Sequence, residues 1–123
     1  MGNHYYISAD QQQGARWTFT AEDLAATATR LWPGTTVDTY DGDTTELQIH
    51  LDDTTLTFTF DDEYHVLRFP DHQDPEVPAR IVHGLLRELA PDVPAVWWSE
   101  ADATLEPVDL SPDPEPFAQS FGG

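Results

Sequence analysis

A chain of 123 residues has room for one hydrophobic core, and 23 Asp and Glu against five Arg and no Lys give it a formal net charge of −18. A surface of that sign repels nucleic acid and anionic membranes and attracts cationic partners, or else reflects adaptation of the whole surface to salt. The absence of cysteine excludes a disulfide framework, a thiolate nucleophile and Cys-based zinc or iron–sulfur sites.

Four Trp, four Tyr and six Phe supply the large apolar surfaces that a disordered acidic chain lacks, so the chain is expected to fold. Apolar runs are only a few residues long, and the first residues show neither a basic segment nor an apolar signal core. The expectation is a cytoplasmic protein.

In chain order, residues 4–9 (His-Tyr-Tyr-Ile-Ser-Ala) read as a first strand, followed by a polar loop over 10–14 and by Trp17 and Phe19 alternating with threonines. Thr20 then stands where it can cap the amide of Asp23. Leu24, Ala28 and Leu31 recur at helical spacing until Pro33 and Gly34 end the helix. Across 35–69 the period changes to two, giving four short strands: 35–40 with Val37, 46–51 with Leu47, Ile49 and Leu51, 55–60 with Leu56, Phe58 and Phe60, and a last one with Leu67 and Phe69. Their short acidic connections demand antiparallel hairpins, hence a meander. Residues 76–89 predict a second helix, with Ile81, Val82, Leu85, Leu86 and Leu89 along one side and Pro78 tolerated only in its first turn. Residues 95–99 (Ala-Val-Trp-Trp-Ser) predict a strand that returns to the sheet. After Glu106 the prolines at 107, 112, 114 and 116 predict an irregular acidic tail, pinned to the body or to a partner by Phe117 and Phe121.

The predicted architecture is α+β: an antiparallel meander with two amphipathic helices packed on one face, a single domain over 1–106 and a Pro-rich tail over 107–123. The other face is expected to be open, presenting Thr36, Asp38, Tyr40, Gln48, His50, Thr57, Thr59, Val66 and Arg68. Alternate turns of a meander share one end of the sheet. Asp41 and Asp43 should therefore approach Asp61, Asp62 and Glu63, with Asp52, Asp53, Asp71 and Asp74 at the opposite end. Each Asp has a simpler role as a turn former. One of the adjacent Trp97 and Trp98 must face outward, either as an interface anchor or under the tail.

Chemistry is harder to find. The segment 40–46 lacks calcium-loop spacing, the histidines at 4, 50, 65, 72 and 83 form no pair at metal-binding helical spacing, and no serine sits in a nucleophile elbow. There is no phosphate-cradling glycine loop. Neither an enzyme nor a metal or other cofactor is expected.

Phe19-Thr20-Ala21-Glu22-Asp23-Leu24, Leu31-Trp32-Pro33-Gly34, the meander, and Leu89-Ala90-Pro91-Asp92-Val93-Pro94 followed by an apolar strand and Ser99-Glu100 carry a resemblance over most of residues 5–102. The sequence resembles small acidic actinobacterial proteins, some of which look like immunity proteins of polymorphic toxin systems. It departs from them at His83-Gly84-Leu85-Leu86, where an aromatic residue would be expected. The resemblance implies an inhibitor that binds and neutralises a cationic toxin domain. On the residues themselves, Asp38, Tyr40, Asp41, Asp43, Asp61, Asp62, Glu63, Arg68 and Trp98 are the expected partner-binding set, in a monomer or homodimer. A secretion or assembly chaperone and a small-ligand-binding domain are the alternatives.

Overall fold

The structure is a computed structural model describing residues 4–40, 42–51, 54–70, 72–101 and 104–122. The expected Asp41, Asp52, Asp53 and Asp71 lie outside the described residues. In chain order the elements are β1 (His4–Ala9), α1 (Ala21–Leu31), β2 (Thr36–Tyr40), β3 (Thr44–His50), β4 (Thr55–Asp61), β5 (Val66–Pro70), α2 (Glu76–Leu89), β6 (Ala95–Ser99), β7 (Glu106–Pro107) and α3 (Glu115–Gly122). The class is α+β.

Helix α1 begins where its sequence caps it: Thr20 Oγ1 accepts from the Asp23 amide at 3.2 Å, and Asp23 Oδ2 accepts from the Thr20 amide at 3.0 Å. That reciprocal pair satisfies two amides which the first turn leaves without carbonyl partners. In α2, Pro78 occupies the first turn, where its missing N–H costs nothing. Gly84 of α2 leaves the space against which Trp32 sits, since a Cβ there would lie 3.4 Å from the Trp32 ring.

The strands form one antiparallel sheet in the order β2-β3-β4-β5-β1-β6-β7. The expected meander is its β2 to β5 portion. β1 then inserts between β5 and β6, so the first and last long strands complete the sheet side by side. Period-two alternation puts Ile7, Leu47, Ile49, Leu56, Phe58, Phe60, Leu67 and Phe69 on one face, and all are buried. They join Leu24 and Ala28 of α1, Ile81, Val82, Leu85 and Leu86 of α2, and Phe117 and Phe121 of α3 in one core. Nothing helical among the described residues is long and apolar enough to cross a membrane.

The tail departs from expectation. Instead of running irregularly it pairs β7 with β6 and closes with α3, burying Phe117, Ala118 and Phe121. Prolines at 112, 114 and 116 obscure this helix in the sequence, yet they fall before it or in its first turn, where proline is tolerated. Phe121 meets Trp97 at 4.6 Å and Tyr5 at 4.8 Å between ring centroids. Arg80 of α2 clasps Glu115 through two parallel hydrogen bonds, Nε to Oε1 at 3.0 Å and a terminal nitrogen to Oε2 at 3.1 Å. The α-helices among the described residues number three rather than the expected two.

Candidate binding face

The sheet face turned away from the core is ordered by strand register. A single cross-strand row runs Asp38, Glu46, Thr59, Arg68, Tyr6, Trp98 from β2 to β6. The row beside it runs Tyr40, Thr44, Asp61, Val66. Asp38, Tyr40, Asp61, Arg68 and Trp98 of the expected set therefore share one face.

At the β2 end this face is negative. Asp38 and Glu46 are directly opposed like charges, an arrangement that costs stability in a sheet. The Glu46 carboxylate, then partial burial and Asp38, push the exposed Tyr40 phenol above its ordinary value. At the β6 end the face is aromatic. Tyr6 and Trp98 stack with centroids 5.6 Å apart, and Tyr6 donates its hydroxyl to Glu100 Oε1 at 2.9 Å. Burial and that hydrogen bond raise the Tyr6 phenol, which keeps it a donor.

Between the two ends lies a shallow concavity of ≈ 330 Å³, floored by Thr44, Thr59 and Val66 and walled by Arg68, Trp98 and Tyr64. The Arg68 side chain is exposed and makes no hydrogen bond or ion pair among the described residues. A neighbouring depression of ≈ 460 Å³ shares Tyr64, Val66 and Trp98 and continues to Leu105. Ser8 and Val96 line it and are buried, so the face is sheltered at that end rather than flat and open throughout.

Tyr64 separates these depressions. It is 65% exposed, the highest value among the exposed large hydrophobic side chains described. Its turn is held firmly. Asp61 Oδ1 accepts from the amides of Glu63 at 2.9 Å and Tyr64 at 3.1 Å, and His65 takes the left-handed conformation with φ 55°. Tyr64 lies in a connection between strands, where period-two alternation does not reach, so the sequence pattern does not single it out. The available signal was a large aromatic residue placed three positions after a turn-forming Asp.

The expected gathering of acids at one end of the sheet occurs between the described turns: the Asp62 amide donates to the Asp43 carbonyl at 2.7 Å, and Thr44 pairs with Asp61. Asp43, Asp62 and Glu63 are exposed there. Trp97 and Trp98 divide as alternation requires, with one modification to the alternatives: the C-terminal helix covers Trp97, leaving Trp98 half-buried on the outer face. No group of three or more His, Asp or Glu among the described residues could hold a metal ion. Compared with known proteins, the chain matches no family model, no curated protein and no solved structure.

Proposed function

We propose that this protein is an immunity-type binding module that neutralises a cationic toxin domain, acting in the cytoplasm as an inhibitor without catalysis of its own. The observation that supports it is the co-location, on one sheet face, of Asp38, Glu46 and Asp61 with the Tyr6–Trp98 stack and the projecting Tyr64. Carboxylates steer a basic partner and raise its association rate, while half-buried aromatic side chains on a rigid support supply affinity. The Asp43, Asp62 and Glu63 rim extends the same negative surface around one end of the sheet. Arg68 would take one carboxylate of the partner, fixing its orientation.

A lysate of the source organism passed over the tagged protein should yield one basic protein that elutes with salt, and the purified pair should lose affinity in Tyr64→Ala. Recovery of a partner whose binding ignores both salt and Tyr64→Ala would reject the proposal. A chaperone for an extended client is the second reading, favoured by the exposed strand β2. A partner that is folded in isolation separates the inhibitor from the chaperone.

A further inference from the structure

The two edges of the sheet are treated differently. At one edge β7 is only two residues long and contains Pro107, which offers no N–H to an incoming strand. The other edge is β2, five residues long, without proline or lysine, and exposed at every position. Its Val37 and Tyr40 are 41% and 48% exposed, so the strand also presents apolar surface on both sheet faces. Proteins blunt such edges because free backbone donors and acceptors recruit another strand. Here one edge is blunted and the other is not.

We infer that β2 is a docking edge, and that its occupant is a β-strand of the cationic partner carrying Arg or Lys at its centre; this rests on the functional reading above. Asp38 is the middle residue of Thr36–Tyr40, so the residue opposite it is the central one whether the added strand runs parallel or antiparallel. A basic side chain there would stand about 5 Å from Asp38 and relieve the repulsion between Asp38 and Glu46. The flanking positions, opposite Val37 and Thr39, lie on the other sheet face and suit β-branched apolar residues. A second copy of this chain fits poorly. Symmetric antiparallel pairing of β2 centred on its middle residue would place Asp38 against Asp38 and bring together two molecules of formal charge −18.

The probe is a synthetic β-hairpin peptide whose outer strand reads Thr-Val-Arg-Val-Thr, alongside a twin with Glu in place of Arg, titrated into the full ¹⁵N-labelled chain at low salt. The Arg hairpin should shift the amides of residues 36–40, slow exchange of alternate ones, and bind at least about tenfold more tightly than the Glu hairpin. Asp38→Lys, at an exposed position, should reverse that preference, an outcome that loss of folding could not produce. Equal binding of the two hairpins, shifts confined to Tyr64 and Trp98, or β2 protection that grows with protein concentration before any peptide is added would each overturn the inference. The edge can fail while the functional reading stands. A natural basic partner that is sensitive to Tyr64→Ala but indifferent to Asp38→Lys would keep the binding face and remove the edge.

Discussion

Trp97 and Trp98, consecutive in β6, serve opposite faces of the sheet: the Trp97 ring lies 4.6 Å from Phe121 of α3, whereas Trp98 stacks on Tyr6 with its plane 15° from parallel. Equal residues at adjacent positions should therefore fail differently. Trp97→Ala opens a hole between sheet and helix and should cost about 3–5 kcal/mol of stability. Trp98→Ala removes one stacked pair and part of a half-buried surface, about 1–2 kcal/mol, yet should weaken partner binding by about 2 kcal/mol or more. Urea unfolding of the two variants, set beside titration of the partner with Trp98→Ala, measures this ordering; equal stability losses would contradict the two-faced assignment.

Phe121 is the anchor of α3, touching Tyr5, Phe69, Trp97 and Phe117 with ring centroids between 4.6 and 5.8 Å. An eight-residue helix is too short to persist in water on its own, so its order depends on these contacts. In Phe121→Ala, amide exchange should become fast across residues 115–122 while β3 and β4 stay protected. Uniform acceleration across the sheet would show instead that α3 unfolds only with the whole domain.

The legible parts of this fold were those where one local rule governs. Thr20 and Asp23 announce a cap, and Leu47, Ile49, Leu56, Phe58 and Phe60 alternate cleanly, so α1 and the central hairpin follow from the sequence. What stayed hidden depends on contacts between distant segments. Nothing local to residues 4–9 says that β1 enters between β5 and β6, and nothing local to 115–122 says that Phe121 will find Tyr5. The candidate binding face was half legible. Asp38, Tyr40 and Arg68 follow from strand alternation, but Tyr6 required the register of β1, and Tyr64 required the turn geometry set by Asp61.

Acid should release α3 through Glu115. Hydrogen bonds from Arg80 hold the Glu115 carboxyl below its ordinary value of 4.5. A carboxylate whose folded value is depressed contributes stability that is fully present above the unfolded value and lost as pH falls through the folded one. The stability difference between wild type and Glu115→Gln should be constant above about pH 5 and should shrink below it. Tryptophan fluorescence, through Trp97 beside α3, reports the release. A difference independent of pH would mean that Glu115 acts by packing alone.

Gly84 sits inside α2, where glycine is a poor helix former, with its missing side chain facing Trp32. An alanine Cβ would lie 3.4 and 3.7 Å from two Trp32 ring carbons, ordinary contact distances. Gly84→Ala should therefore raise stability by about 0.5–1 kcal/mol through reduced freedom of the unfolded chain. Chemical denaturation decides the sign, and destabilisation would show that Trp32 cannot accept even a methyl group.

Salt tests whether the fold lives against its own charge. Raising ionic strength from about 0.1 to 1 M shortens the screening length from about 10 to 3 Å, which weakens attractions and repulsions alike at the surface. The attractions are few: among the described residues the ion pairs made by arginine are Arg30–Glu88, Arg80–Glu76 and Arg80–Glu115, all partly exposed and each a small contributor. Against them stand 23 acids, including Asp38 directly opposite Glu46. Repulsion should win, so the melting temperature should climb steadily with sodium chloride, and Glu46→Gln, which removes the charge opposite Asp38, should flatten the climb. A fall with salt would place the clasp between Arg80 and Glu115, rather than the crowded carboxylates, in control of the surface energetics.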